Sequence, residues 1–196
     1  MICGVRLRLD SKHIAQLEKN PNLEFISHLN RSTGVVSDSL KWEEDNIMVF
    51  IKNSGYGFIT GSLHKYKNDG QHNFDDFSFG DVFETVEKLS KRLGIPIEQL
   101  DIIKLEWGLN IQLEVEPMVV LSRLVSHKNK PFERYNVRPG NHYVCAHHEF
   151  DLKVYDKSAQ YQEFSTVPKN TLRIELSTNH ARRHNSLGIY KLEDLK

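Results

Sequence analysis

Tyr155-Asp156-Lys157 and, after a polar insert, Leu172-Arg173-Ile174-Glu175-Leu176 bring a phenol, an amine, a guanidinium and a carboxylate into two short, otherwise apolar segments. In Phe150 to Tyr155 the alternation sets Phe150, Leu152 and Val154 on one face of a strand and Asp151, Lys153 and Tyr155 on the other. In Thr171 to Leu176 it buries Leu172, Ile174 and Leu176 and turns Arg173 and Glu175 the opposite way. If the two strands pair, these reactive groups share one polar surface. A tyrosine hydroxyl can be a covalent nucleophile where a metal or nearby cations stabilise the phenolate. A phosphodiester is a fitting target, because its bond energy is conserved in a phosphotyrosine. Lys157, Lys153 and Arg173 could offset the charge that develops on the phosphoryl oxygens.

A third run extends the surface. From Ile103 to Val115, Ile103, Leu105, Trp107, Leu109, Ile111, Leu113 and Val115 alternate with Lys104, Glu106, Gly108, Asn110, Gln112 and Glu114, the pattern of a long half-buried strand. Glu106 and Asn110, together with Glu175, offer the hard oxygens that Mg²⁺ or Mn²⁺ prefers. A plainer account is a structural protein whose polar strand face is merely solvated. His147 and Glu149 would share a strand face as a metal pair, but the triplet His147-His148-Glu149 reads better as a hairpin turn. Asp75-Asp76 likewise reads as an exposed loop ahead of a helix.

These strands need partners and cover. Ile2 to Leu9 alternates as a strand, and Ser11 caps a short helix with Ile14 and Leu17 that ends near Asn20-Pro21. Ile47 to Lys52 and Tyr56 to Gly61 make a hairpin about Asn53-Ser54-Gly55. After the turn-rich segment Asn68 to Asn73, a helix starts at Asp81, shows Val82, Val86, Leu89 and Leu93 on one face and stops at Gly94. Pro117 opens another, with Met118, Leu121, Leu124 and Val125 as its stripe. A polar, basic loop from Asn129 to Asn141 leads to a strand at His142 to Ala146, and Leu187 to Leu195 forms a last short helix. This order indicates an α+β fold, a mainly antiparallel sheet covered by a few helices. One domain over residues 1–196 is expected, with 1–60 as its N-terminal strand, helix and hairpin portion.

The 26 basic and 26 acidic residues cancel, which argues against nucleic-acid binding through bulk charge. The distribution is uneven, however. Acidic residues gather at Glu43 to Asp45 and Asp75 to Glu87, while basic residues dominate from Pro117 to Lys191. No apolar run reaches the length of a membrane span, and the first residues lack a signal peptide's layout, so a cytoplasmic chain without membrane contact is expected. Cys3 and Cys145 lack paired metal-ligand spacing and are expected to be small core residues.

Several of these segments, taken in order, resemble a known group. Gly61-Ser62-Leu63-His64-Lys65-Tyr66 with Gly70-Gln71-His72-Asn73 comes first, followed by Leu105 to Ile111 and Val154-Tyr155-Asp156-Lys157. Leu172-Arg173-Ile174-Glu175 and Leu187-Gly188-Ile189 leading into Leu192-Glu193-Asp194-Leu195 complete the set. The group is the rolling-circle replication initiators that include the gene II protein of filamentous phages and the trans-acting initiators of small plasmids. The resemblance implies that Tyr155 nicks one strand at an origin, attaches to the 5′ phosphate and frees a 3′ hydroxyl. Lys157 and Arg173 would assist, and Glu106, Asn110 and Glu175 would hold Mg²⁺ or Mn²⁺. Lys65, Arg138, Lys153, Arg182 and Arg183 would contact single-stranded or hairpin origin DNA. A homodimer and a host helicase or polymerase are further partners the resemblance leaves open. Three departures stand out: Glu106 replaces the usual aspartate, Gln160 stands where relatives often carry glutamate, and the sequence stops at Lys196 where relatives continue. They keep in view a truncated relative that binds DNA without cutting it.

Overall fold

In the computed structural model, which describes residues 2–27, 32, 34, 36–135 and 141–195, the alternating segment Ile2–Leu9 becomes strand β1 inside a sheet. Asp10 caps the following helix, α1 (Ser11–Glu18), by accepting the His13 N–H at 2.9 Å. The cap falls one residue before the expected Ser11 because aspartate already supplies the oxygen. Strands β2 (Ser39–Glu44), β3 (Ile47–Lys52) and β4 (Gly57–Ser62) pair in succession, and β4 returns to β1. A short helix, α2 (Leu63–Lys67), follows at once. Helix α3 (Phe79–Leu93) begins two residues before Asp81, since Ser78 and Asp81 close a capping box, and it ends at Gly94 with φ 72°.

Strand β5 (Ile102–Gln112) flanks β1 on its other side and stops short of the expected Val115. Leu109, expected inside, is 58% exposed because it lies beyond both hydrophobic clusters. Pro117 starts α4 (Pro117–Leu121), but Val125 leaves its stripe for solvent. The described part of the expected loop from Asn129 to Asn141 contains two short strands, and a third precedes it. β6 (Ser126–His127) and β7 (Lys130–Pro131) form a separate hairpin, its turn residues Lys128 and Asn129 at φ 49° and 63°, and β8 (Glu133–Tyr135) edges the main sheet. β9 (His142–Ala146) and β10 (Phe150–Asp156) make the expected hairpin about His147 to Glu149. After α5 (Lys157–Gln160), strand β11 (Thr171–Thr178) inserts between β5 and β10. An unexpected helix, α6 (Ala181–Asn185), comes next. The expected C-terminal helix shrinks to a 3-10 turn at Leu192–Leu195, because Gly188 turns the chain at φ 77°.

The architecture is α+β. Nine antiparallel strands run in the order β2-β3-β4-β1-β5-β11-β10-β9-β8 among the described residues, accompanied by six helices, of which α1 and α3 are the substantial ones. Val5, Leu7, Ile59 and Leu105 join Val82, Val86, Leu89 and Leu93 of α3 in one cluster. Leu121 of α4 packs with Val154 and Leu172 in a second, alongside Phe132 and Ile174. Among the described residues no helix is long and apolar enough to cross a membrane.

Candidate active site

The register of β10, β11 and β5 decides which side chains meet. Tyr155 stands opposite Arg173 and Lys153 opposite Glu175, while Arg173 opposes Asn110, Glu175 opposes Gly108 and Ser177 opposes Glu106. Residues directly opposed across a sheet project from the same face, so all of these share one side. Arg173 is the hub, and it is wholly buried. Its Nε donates to Glu175 Oε1 at 2.7 Å, its NH1 to Asn110 Oδ1 at 2.7 Å and to the Asn73 carbonyl at 3.2 Å, and its NH2 to Cys3 Sγ at 2.6 Å. Cys3 reaches it because the β1–β5 register slips between Ile2 and Gly4. Gly108 leaves the room, since a Cβ there would lie 2.4 Å from Arg173 NH2. Burial works against the guanidinium's charge, but Cys3, Tyr155 and Glu175 outweigh it and raise the pKa further.

Tyr155 is 4% exposed, and its hydroxyl donates to Glu175 Oε1 at 3.0 Å. Burial and the Glu175 charge lift the phenol well above its ordinary pKa. Lys157 Nζ lies 3.4 Å from the same hydroxyl and also meets Asn73 Oδ1 at 2.5 Å and Gln160 Oε1 at 2.9 Å. Burial, helped by Arg173, pulls this amine down to about 6. Near neutral pH it is therefore largely uncharged, its N–H groups serving the amide oxygens, while the tyrosine hydroxyl 3.4 Å away gives its own hydrogen to Glu175. His142 stacks on the Tyr155 ring at 4.3 Å between centroids. The loop that supplies Asn73 is fixed by His64 Nε2 and Asn68 Nδ2, which lie 2.6 and 2.9 Å from Asp75 Oδ1, and burial lowers His64 to about 4. Asp75 is thus an anchor within its loop.

Glu106 sits farther along the face. Its Oε1 accepts Ser177 Oγ at 2.8 Å and lies 3.4 and 3.5 Å from Lys153 and Lys104 Nζ. Burial favours the neutral acid, but Lys153, Ser177 and Lys104 outweigh it and keep the pKa low. Its Oε2 rests where a Gly4 Cβ would stand, 2.7 Å away. A cleft of about 220 Å³ opens here, lined by Gly4, Arg6, Asn73, Lys104, Glu106 and Glu175 among others.

No family model matches the sequence, and no curated protein matches it. Among solved structures, a rolling circle replication initiator protein from Geobacillus stearothermophilus matches 95% of this chain and 77% of its own, with a TM-score of 0.52 at 11% sequence identity. The chain has the fold of a rolling-circle replication initiator. On this fold, seven of the sequence-derived residues converge. Tyr155, Lys157, Arg173, Glu175 and Asn110 form one connected network, and Lys153 joins Glu106 beside it. Lys65 lies 5.7 Å from the Tyr161 ring. Arg182 and Arg183 are set apart on α6, with Arg183 over the ring of Phe150, whose side chain belongs to the face opposite Tyr155. Arg138 lies outside the described residues.

A hard divalent ion suits Glu106 and Glu175, two carboxylates on one cleft wall with Gly4 leaving space for Glu106 Oε2. The Asn110 amide is instead engaged on both ends, by Arg173 and by the Phe74 carbonyl that its nitrogen reaches at 3.0 Å. Sequence reasoning missed Asn73, Cys3, Arg6 and Lys104. Arg6 and Lys104 were legible as polar positions on alternating strands, whereas nothing local marks a bulged cysteine. Cys145 is fully buried, as expected of a small core residue, and it also clusters with His127 and His147.

Proposed function

We propose that this chain nicks and rejoins a DNA strand at a replication origin through a 5′-phosphotyrosine, with Tyr155 as the nucleophile. The observation that carries this reading is the Tyr155 hydroxyl held between the Glu175 carboxylate and a largely neutral Lys157 amine. Tyr155 oxygen would bond to phosphorus as the bond to the 3′ oxygen breaks. The phenol proton passes to Lys157, and the departing 3′ oxygen takes a proton from solvent to become a hydroxyl. Lys157, once protonated, keeps three oxygen partners and adds positive charge beside the phosphoryl group. Arg173 holds Glu175 in place. Glu106 and Glu175 would hold Mg²⁺ or Mn²⁺, which when bound polarises the scissile phosphate. Arg6, Lys104, Lys153 and Lys65 would receive single-stranded or hairpin DNA along the same face.

One observation favours a second reading, a relative that binds origin DNA without cutting it: the Tyr155 hydroxyl is buried and its phenol is hard to ionise. The two part on a covalent product. With Mn²⁺ and single-stranded DNA spanning the cognate nick site, the wild type is expected to give an adduct that survives denaturing electrophoresis. Tyr155→Phe is expected to bind the DNA and give none, since the ring and its packing remain. An adduct retained in Tyr155→Phe would shift the nucleophile to Tyr161, whose hydroxyl donates to Asn73 Oδ1 at 3.0 Å. A wild type that binds a proven origin and never forms the adduct supports the non-cutting relative.

A further inference from the structure

Behind the sheet from Tyr155, a second set of reactive side chains takes no part in the nicking site. Cys145 pairs with Leu152 across β9 and β10, so its thiol belongs to the face opposite Tyr155, where it is fully buried. His147 follows two residues on, and His127 reaches both from the β6–β7 hairpin. His127 Nδ1 lies 3.0 Å from His147 Nε2, Cys145 Sγ lies 3.4 Å from that same nitrogen, and the three ligand atoms all fall within 4.8 Å of one another. Ligand atoms around a tetrahedral ion, with bonds of about 2.0 Å to nitrogen and about 2.3 Å to sulfur, stand about 3.3–3.6 Å apart.

Hydrogen bonding alone explains this convergence poorly. A neutral imidazole nitrogen has either one hydrogen or one lone pair, yet two groups approach His147 Nε2. The Cys145 thiol, moreover, already has the Lys130 carbonyl at 3.3 Å. The rings are braced from outside. Phe150 stacks on His147 at 4.6 Å and meets His127 at 6.1 Å, and its carbonyl accepts the His147 backbone N–H at 2.9 Å. The hairpin that carries His127 is only two residues long on each side, too short for an independently stable pair, and Pro131 in it has no N–H to donate.

We propose that His127, Cys145 and His147 bind Zn²⁺ or a similar borderline transition ion, with solvent as the fourth ligand, and that this ion fastens the β6–β7 hairpin to β9. On binding, the Cys145 thiol gives its proton to solvent and the imidazoles coordinate as neutral rings. A thiolate with two imidazoles selects against the hard Mg²⁺ or Mn²⁺ suited to Glu106 and Glu175, so the two faces of the sheet sort metals by ligand softness.

The test uses the full chain stripped with chelator, with Zn²⁺ as the probe and Co²⁺ as its coloured substitute. One Zn²⁺ per chain is expected, and Co²⁺ should produce a sulfur-to-cobalt charge-transfer band in the near ultraviolet. Cys145→Ser should abolish that band and weaken Zn²⁺ binding at least about tenfold, whereas Glu106→Ala with Glu175→Ala should keep both. His127→Ala, on the partly exposed hairpin, serves if the serine variant does not fold, and Zn²⁺ should no longer raise its melting temperature. A folded wild type that takes up no Zn²⁺, or variants that bind it as tightly as the wild type, would overturn the proposal.

Discussion

Lys157 carries its amine into surroundings that pull its pKa down to about 6, whereas a lysine of the unfolded chain titrates at about 10.4. Between those values the unfolded chain binds the extra proton, so this residue makes the protein more stable as pH rises from about 6 towards about 10, and no further change comes from it below about 6. Tyr155 works in the other direction only above about 10: its raised phenol contributes fully below the unfolded value and loses that contribution at higher pH. Urea unfolding from about pH 6 to about pH 9 should therefore show a rising stability in the wild type that Lys157→Met flattens. Gln160→Glu should flatten it too, because a carboxylate in place of the amide beside Nζ raises the amine's pKa. Parallel slopes in all three proteins would mean that Lys157 is not the titrating group. In the sequence Lys157 read as a fixed cation. Its neutrality was hidden because it depends on burial and on Arg173, which lies on another strand, and no local pattern reports either.

Strands β1 and β5 serve the site through the residues they leave small. Gly108→Ala would drive a methyl into Arg173 and Cys3, and overpacking of this kind costs about 1–3 kcal/mol. Thermal melting should drop accordingly, with the Arg173 to Glu175 contact disturbed. Gly4→Ala meets a more yielding neighbour, the end of the Glu106 side chain. Its melting temperature should stay close to that of the wild type, but the rise that Mg²⁺ or Mn²⁺ brings should shrink, as it should vanish in Glu106→Ala with Glu175→Ala. An undiminished metal response in the double variant would place the ion elsewhere. Alternation alone revealed β5, β10 and β11 and the shared face of Tyr155, Lys153, Arg173 and Glu175, because the period of two is set by backbone geometry. It did not reveal that this face is covered. The cover comes from the loop carrying Asn73, held by His64 and Asp75, far from the strands in sequence. The same distance concealed the second cluster, since His127 and Cys145 belong to different hairpins.

Across the whole molecule, zero net charge does not prevent local attraction, because Arg6, Lys104 and Lys153 border one cleft while Asp75, Asp76, Asp81, Glu84 and Glu87 lie on α3 and its approach. Binding of single-stranded DNA should weaken with salt, and Arg6→Ala with Lys104→Ala should reduce the logarithmic slope by about 0.7 per lost phosphate contact. Arg182→Ala with Arg183→Ala, measured alongside, reads whether the footprint wraps onto α6. A slope untouched by the Arg6 and Lys104 changes would move the DNA off the cleft. The strand order has a consequence of its own for how the molecule comes into being. β11, the last strand in chain order among the described residues, lies between β5 and β10, and β1 lies between β4 and β5. Glu106 and Tyr155 therefore belong to separate fragments of sheet until residues Thr171–Thr178 have left the ribosome and zipped in between them. At about 5–20 residues per second, the stretch from Tyr155 to Thr178 takes about 1–5 s to make, and through that interval the tyrosine exists without being aligned. A chain stopped before Thr171 therefore carries Tyr155 without Arg173 and Glu175, the partners that hold it in place.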